Sequence, residues 1–328
     1  SLWLREAGVE RNAVTFFSWA ALGYSFKFVW APLIDRMPLP WLTRKLGRRR
    51  AWMVVSQICI MGAIILMGLI DPASSHAKLT AMAWAAVLLG FSSATQDIVI
   101  DAFRIEAVQS DVQALMASTY VAGYRVGMIV AGAAALYLAD WLGTTRENYL
   151  YSAWQLTYLA MAGAMLVGVF TTLSIREPAR TQESSYLHTS RDYFRFVLLF
   201  AGFVAAIILA YLSLSDVVTA TKSWLVQAGA IEELASFVAE AFRLFAALLA
   251  ALFAGWLLVR IHLADRRMLR DTYIDPVADF FRRYGKAAIL ILLLVGFYRV
   301  SDIVLGVISN VFYQDMGFSK DQIATVTK

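Results

Sequence analysis

The amino-acid sequence predicts an all-α membrane protein built from several membrane-spanning helices. Of its 328 residues, 60% are hydrophobic and 16% are charged, whereas charged residues make up about a quarter of a typical soluble domain. Apolar runs of about 20 residues, long enough to cross a bilayer as a helix, recur along the chain. Lys and Arg concentrate in alternate segments between these runs. Together these observations exclude a soluble globular domain.

The apolar runs predict eight membrane spans. They follow an amphipathic opening segment, Ser1–Asn12, which we expect to be a loop or an interfacial segment. A polar, partly amphipathic segment separates the sixth span from the seventh. The predicted spans cover about residues 13–33, 51–70, 79–108, 114–139, 153–174, 194–215, 241–261 and 287–313.

The basic residues orient these spans. One set of alternate loops holds nearly all of them, whereas the other set holds little beyond Lys78, Arg146 and Lys222. Because an excess of Lys and Arg marks cytoplasmic loops, we place the loop Arg36–Arg50 inside and the N-terminal segment outside. The basic runs adjoin membrane spans and lack the interleaved aromatic residues of a strand-binding groove. We therefore expect contact with the lipid bilayer and no nucleic-acid partner.

The sequence predicts no metal centre and no cofactor. Its single cysteine, Cys59, lies within an apolar run, which excludes a disulfide framework and a cysteine-based metal site. The three histidines, His76, His188 and His262, lie at segment ends without the spacing of metal ligands.

The chain begins with Ser1, in the middle of a pattern, and ends equally abruptly at Lys328. An N-terminus outside the membrane is unusual for an intact chain and is explained if one helix precedes it. We therefore expect the chain to be a piece of a longer protein.

Charged residues in the third predicted span are the first functional candidates. Asp97 and Asp101 are four residues apart and Arg104 is three further on, so a helix places all three on one face. A charged residue at the bilayer centre costs about 2.5–3.5 kcal/mol even on lenient insertion scales. This charged face must therefore line protein or water rather than lipid.

Counting residues along the helices estimates the depth of each charge. Asp97 and Arg125 each lie eleven residues from the inner ends of their predicted spans, which is about 16 Å at about 1.5 Å per residue. Asp101 and Lys27 lie nearer the inner ends and are again level with each other. We therefore predict two ion pairs, Asp97 with Arg125 and Asp101 with Lys27.

These intramembrane charges have two interpretations. Carboxylates one helical turn apart in a low dielectric repel each other, and such a site can exchange a proton as the helices rearrange. Alternatively, the ion pairs only hold the helices together. Because the groups titrate together, no single residue is named as the proton carrier. Arg299 and Asp302, three residues apart in the last span, are open to the same two interpretations.

Four motifs carry a resemblance to a known family. Asp35-Arg36 followed by Gly47-Arg48-Arg49-Arg50 resembles the loop motif of the major facilitator superfamily, although ten residues separate Arg36 from Gly47 and Ala31 stands where the motif begins with glycine. With three further stretches the chain is similar to the AmpG-type anhydromuropeptide permeases of that superfamily. These stretches are Lys27–Pro32, Gln96–Ala102 and Gly123–Met128.

The resemblance implies a partial major facilitator superfamily bundle, with an inserted transmembrane helix pair between its two halves. Residues 1–174 would form helices two to six of twelve core helices, and 175–261 a cytoplasmic linker with the inserted pair. Residues 262–286 would form a basic cytoplasmic linker, and 287–328 helix seven and the start of helix eight. Helices one, four, seven and ten line the cavity of this fold, which would place Asp97, Asp101 and Asp302 in or beside it.

The resemblance also implies a function. The protein would be a proton-coupled secondary transporter, acting as a monomer in the bacterial inner membrane. It would import anhydromuropeptides (GlcNAc-anhydroMurNAc, with or without peptide) from periplasm to cytoplasm for cell-wall recycling. Gln96 would donate to sugar or peptide oxygens or else bridge helices, and Tyr124 would stack on a sugar ring or else pack against protein. The candidate cavity residues are Lys27, Gln96, Asp97, Asp101, Arg104, Tyr124, Arg125, Arg299 and Asp302.

The basic loop would act as a gate. In related transporters it ties the inner ends of the helices together in the outward-open state, and the alternative is that it only orients the protein. The candidate gating residues are Asp35, Arg36, Gly47, Arg48, Arg49 and Arg50.

Two local features are also predicted. Pro276–Tyr284 should form a short amphipathic helix on the inner membrane surface, with Asp275 as its N-cap and Gly285 at its C-terminal end. In the inserted pair, Glu240 should form an ion pair with Arg243, three residues further on.

Two other functions remain as alternatives. Acetyl-CoA transporters share the Gln-Asp-x-x-x-Asp pattern, so a carrier of acetyl-CoA or another large anionic metabolite is the first; such a substrate needs unpaired positive charge in the cavity. An intramembrane enzyme is the second. Aspartyl proteases need two carboxylates close enough to share one proton, on facing helices, whereas Asp97 and Asp101 lie on one helix. We therefore do not expect an enzyme.

Overall fold

The computed structural model describes residues 2–10, 17, 22–145, 147–179, 190–229, 231–297 and 316. Within these residues the regular structure is helical, without a β-strand. The chain divides into two compact units. The first comprises Ser1–Thr181 and Leu292–Lys328, and the second comprises Gln182–Ile291.

The helices are numbered here in chain order. The first unit contains α1 (Leu2–Glu6), α2 (Leu22–Arg36), α3 (Leu42–Leu46), α4 (Arg48–Gly68), α5 (His76–Ala107), α6 (Gln113–Trp141) and α7 (Tyr151–Ser174). The second contains α8 (Ser190–Ser213), α9 (Ser215–Gln227), α10 (Glu232–Arg260), α11 (Arg266–Leu269) and α12 (Asp275–Tyr284). A last apolar helix, α13, is described over Ala287–Phe297.

The predicted spans agree with the helices that the structure describes. Among the described residues, six helices are long and apolar enough to cross a membrane, namely α4, α5, α6, α7, α8 and α10. Their ends lie within a few residues of the predicted bounds, except that α10 begins earlier, at Glu232, because its first turns mix polar and apolar residues. The first and eighth predicted spans extend beyond the described residues. Their described parts, α2 and α13, are helical.

Helix packing in the first unit brings α4 to its centre. Helix α4 packs against both α5 and α7, and α2 packs against α5. Helix α5 starts where the Ser75 hydroxyl accepts a hydrogen bond from the Lys78 backbone N–H at 3.3 Å, an N-cap that satisfies one free donor of the first turn. A π-helical turn, Val130–Ala134, interrupts α6.

The opening segment is not the loop or interfacial segment that its sequence predicts. Leu2–Glu6 forms a short helix whose Trp3 is 2% exposed. The Trp3 ring stacks on Trp154 with centroids 5.8 Å apart, and its indole N–H donates to the Tyr149 hydroxyl at 3.0 Å. Burial, together with a 2.8 Å hydrogen bond donated to Asp71, raises the pKa of Tyr149. The prediction was wrong because these apolar side chains pack between helices rather than against lipid.

The second unit is built on α10, which packs against α8, α9 and α11. Fully buried alanines on α10, such as Ala247 and Ala251, let the helices approach closely. The predicted ion pair between Glu240 and Arg243 is confirmed at 3.4 Å, and the Arg243 guanidinium also lies 3.6 Å from the Tyr211 ring centroid.

The predicted amphipathic helix is confirmed as α12, and Gly285 ends it with φ 52°. Asp275 is not its N-cap, however. The preceding residues Arg270–Ile274 already wind as a π-helical turn, so Asp275 lies inside a continuous helical segment. Its carboxylate instead accepts a hydrogen bond from Arg270 Nε at 3.0 Å.

Candidate functional site

Lys27 of α2 joins the two aspartates of α5. Its Nζ atom lies 2.6 Å from Asp97 Oδ2 and 3.7 Å from Asp101 Oδ2. The helical spacing that places both carboxylates on one face of α5 therefore presents them to one cation of the neighbouring helix. We call Lys27, Asp97, Asp101, Arg104 and Tyr120 the Lys27 cluster.

Arg104 and Tyr120 complete the Lys27 cluster. Arg104 Nη2 lies 3.3 Å from Asp101 Oδ1, one helical turn away on α5. The Tyr120 hydroxyl, from α6, donates to Asp97 Oδ1 at 3.1 Å. The Arg104 guanidinium lies 4.9 Å from the Tyr120 ring centroid. Asp97 therefore accepts hydrogen bonds from two donors, and Asp101 has two cations within 4 Å. Tyr120 contacts both a carboxylate and a cation.

The charges of the Lys27 cluster balance, with two cations and two carboxylates. Their side chains are 23% to 38% exposed in this chain. Partly buried charges interact more strongly than they do in bulk water. Without Lys27, Arg104 would be the one described cation left beside these two carboxylates.

The predicted pairing of the aspartates is wrong in one of its two parts. Asp101 lies within reach of Lys27 as predicted, but Lys27 is closer to Asp97. Arg125 is exposed, and no described contact joins it to Asp97. The residue of α6 that reaches Asp97 is Tyr120, and Arg125, five positions later, points about 140° away around the helix. The depth count gives the level of a residue but not the direction of its side chain.

The other predicted cavity residues stand as follows. Gln96 is half-buried on α5. Tyr124 is 57% exposed and lies one turn beyond Tyr120 on α6. Arg299 and Asp302 lie outside the described residues.

A second cluster forms where the basic loop meets the inner ends of the helices. The Arg49 side chain is 6% exposed, and its Nη1 atom lies 2.6 Å from Asp35 Oδ1. Arg49 Nε also donates to Glu106 Oε2 at 3.0 Å. Arg48 donates to the Asp35 backbone oxygen at 2.6 Å and lies 3.6 Å from Glu106. One buried guanidinium thus joins α2, α4 and α5.

The same cluster joins α4 to α7 by reciprocal end-capping. The Glu177 carboxylate, just after α7, accepts hydrogen bonds from the backbone N–H groups of Arg49 and Arg50, at 2.8 and 3.1 Å. Arg50 in turn donates to the Thr172 backbone oxygen at 2.9 Å, near the end of α7. An anion at a helix N-terminus and a cation at a C-terminus both favour the helix dipole. We call Asp35, Arg48, Arg49, Arg50, Glu106 and Glu177 the inner-loop cluster.

Gly47 makes this arrangement possible. Its φ is 91°, a conformation that side-chain-bearing residues rarely adopt, and a Cβ there would overlap the Glu177 side chain. Arg36 ends α2 at the start of the loop. Glu106 and Glu177 were not among the predicted residues. Their charge could have indicated them, since both are acidic residues at the predicted inner ends of spans, next to Arg-rich loops.

Among the described residues, no group of three or more His, Cys, Asp and Glu side chains could hold a metal ion. The two clusters consist of ion pairs and hydrogen bonds between helices.

The chain is similar in sequence to known and putative transporters. The family model of the Major Facilitator Superfamily matches residues 7–319. A protein of Rickettsia conorii (strain ATCC VR-613 / Malish 7) named "Putative transporter AmpG 4" is 27% identical over 328 residues, which cover all of this chain and 58% of that protein. The anhydromuropeptide permease of Escherichia coli (strain K12) is 36% identical over 199 residues, 58% of this chain and 37% of the permease. The chain thus spans little more than half the length of the Rickettsia protein.

Proposed function

The chain belongs to the Major Facilitator Superfamily, and we propose that it forms part of a transporter that imports anhydromuropeptides together with protons. On this proposal it lies in the bacterial inner membrane, moves its substrate from periplasm to cytoplasm and catalyses no covalent reaction. The observation that carries the coupling is the single Lys27 ammonium shared by Asp97 and Asp101.

The substrate is supported by two separate likenesses. A relative at 36% identity is named an anhydromuropeptide permease, and a second, similar to the whole chain, is named for AmpG. The motifs Lys27–Pro32 and Gln96–Ala102 contain Lys27, Asp97 and Asp101 of the Lys27 cluster. The substrate assignment therefore concerns the same part of the chain as the charges that we assign to coupling.

The proposed coupling of proton binding to helix movement depends on the contacts of Lys27 with Asp97 and Asp101. While Lys27 and Tyr120 donate to Asp97, the two cations Lys27 and Arg104 neutralise the charge of the two carboxylates. If α2 moves away from α5, Arg104 is the one described cation left beside two like charges one turn apart, so the cluster carries a net negative charge. Binding one proton relieves their repulsion, so helix movement and proton binding become linked. Because Asp97 and Asp101 share Lys27 and lie one turn apart, the proton is assigned to the pair.

The inner-loop cluster supplies the second part of the cycle. It joins α2, α4, α5 and α7 through Arg49, Arg50 and Glu177. Opening the protein towards the cytoplasm would require some of these contacts to break. We therefore assign the inner-loop cluster to the state that is closed on the inner side.

One observation keeps a second candidate substrate open. A carrier of acetyl-CoA or another large anionic metabolite needs positive charge that is not already neutralised. Lys27 and Arg104 both have carboxylate partners, but Arg125 is exposed and is not paired with Asp97. Arg125 would suit an anionic group of either substrate. An intramembrane aspartyl enzyme is disfavoured, because Asp97 and Asp101 lie on one helix with Lys27 between them.

Uptake measurements on the full-length protein separate these candidates. Membrane vesicles would be given labelled anhydromuropeptide with and without unlabelled acetyl-CoA as competitor. We expect uptake that acetyl-CoA does not reduce and that a protonophore abolishes. Uptake that resists the protonophore would exclude the coupling, and absence of muropeptide uptake with uptake of labelled acetyl-CoA would exclude the substrate.

A further inference from the structure

Helix α12 and the residue before it carry an apolar stripe that is exposed over about half of its surface. Ile274, Val277, Phe281 and Tyr284 follow each other at spacings of three and four residues, so they lie along one face. All four are exposed, between 42% and 58% of each residue. The Phe280 ring supports this stripe from its edge, since it contacts the rings of both Phe281 and Tyr284.

Helix α12 also carries charged residues, and the segment that contains it has an excess of cations. Six basic and three acidic residues lie between Arg266 and Lys286. Two of the basic residues are engaged, Arg270 with Asp275 at 3.0 Å and Arg283 with Asp279 at 2.6 Å. The other four are exposed, and the structure describes no ion pair for them: Arg266, Arg267, Arg282 and Lys286.

The position of α12 in the chain holds it next to the membrane. Helix α10, long and apolar enough to span, ends at Arg260, and the apolar helix α13 begins at Ala287. The excess of basic residues places this segment on the cytoplasmic side. The helix therefore lies between two chain segments that enter the bilayer, with an apolar face, an aromatic edge and unpaired cations. This is the pattern of a helix that lies in the membrane interface.

We propose that the apolar stripe of α12 inserts into the headgroup region of the cytoplasmic leaflet, and that Arg266, Arg267, Arg282 and Lys286 make this insertion selective for anionic phospholipid. The partner is the lipid phosphate surface, because a stripe of this kind flanked by free cations matches an apolar layer beneath anionic headgroups. This inference does not depend on the transported substrate.

Spin-label accessibility in the full chain tests this proposal. Cys59→Ser removes the native thiol, and Val277→Cys places a label on the stripe; Ala278→Cys, about 100° around the helix, is the matched control. Both proteins are placed in nanodiscs of phosphatidylcholine alone or with phosphatidylglycerol. We expect the Val277→Cys label to gain access to oxygen and lose access to a water-soluble nickel complex when phosphatidylglycerol is present, and the Ala278→Cys label to change less.

Charge variants give the second half of the test. Replacing Arg266, Arg267, Arg282 and Lys286 by Gln should abolish the difference between the two lipid compositions, as should high salt, because salt screens exposed charges. Replacing Lys78 and Lys222 by Gln, in segments predicted to be on the other side, should leave the difference intact. An unchanged difference in the first variant, or equal depth in both lipids, overturns the selectivity. A label shielded from both reagents overturns the insertion, because protein then covers the stripe.

Discussion

The Lys27 ammonium lies 2.6 Å from the Asp97 carboxylate, although the two residues are 70 positions apart in the chain. This contact ties α2 to α5 at the level where α6 contributes the Tyr120 hydroxyl. Three helices therefore meet on one carboxylate. The first predictions concern what happens when each contact is removed.

Lys27 and Arg125 should behave differently when each is replaced by Gln. Lys27→Gln removes a partner from Asp97 and should lower the free energy of unfolding by about 1–3 kcal/mol. Arg125→Gln should change it by less than about 0.5 kcal/mol, because Arg125 is exposed. Thermal unfolding in detergent measures both. Combined with Asp97→Asn, Lys27→Gln should show a coupling energy and Arg125→Gln none; the reverse result would restore the original pairing with Arg125.

Tyr120→Phe should reduce uptake while leaving the protein folded. It removes a hydrogen bond to a charged group, worth about 1.5 kcal/mol and so about tenfold in rate, but keeps the ring beneath Arg104. Tyr120→Leu loses both contacts and should reduce uptake further. Tyr124→Phe, one turn away and exposed, is the control and should leave the initial rate unchanged. Equal effects of Tyr120→Phe and Tyr124→Phe would mean that the contact with Asp97 is not used.

Arg49 and Glu106 should be strongly coupled. Removing one partner of a fully buried ion pair costs about 3–5 kcal/mol, and Glu106→Gln should cost less than this because Asp35 remains beside Arg49. Arg49→Met should cost less in the Glu106→Gln background than in the wild-type protein. A double-mutant cycle of unfolding free energies measures the coupling. Additive effects would show that the two side chains act independently.

Gly47→Ala should destabilise the protein for two separable reasons. At φ 91° and ψ 169° Gly47 adopts a conformation almost limited to glycine, which costs another residue about 1–3 kcal/mol, and the new Cβ also overlaps Glu177. Gly8→Ala is the matched control, because Gly8 has φ 76° and open space around it, so it should show the first cost alone. In the Glu177→Ala background, the loss of stability caused by Gly47→Ala should fall to that caused by Gly8→Ala. Equal losses at Gly8 and Gly47 would contradict the overlap.

The sequence predicts the helices better than it predicts their contacts. Apolar runs define α4 to α8 and α10, because a membrane helix is specified by its own length and composition. The short helix Leu2–Glu6 was missed, since five residues carry no such signal and its burial depends on Trp154.

For the candidate site, the sequence predicts several of the residues but not all of their contacts. Helical spacing and the cost of buried charge identified Asp97, Asp101 and Lys27 without a structure. The partner of Asp97 was wrong because side-chain direction on α6 depends on how that helix is rotated. Glu106 and Glu177 were missed because their partners, Arg49 and Arg50, are 57 and 127 residues away in the chain.

The most direct test is uptake of labelled anhydromuropeptide by the full-length protein and its Asp97→Asn variant, in vesicles with and without an inward proton gradient. The gradient should accelerate uptake by the wild-type protein. The variant should keep exchange of substrate without a gradient but lose the acceleration, because the pair has lost one carboxylate and with it the repulsion that favours proton binding. An Asp97→Asn protein that responds to the gradient as the wild type does would contradict the proposed coupling.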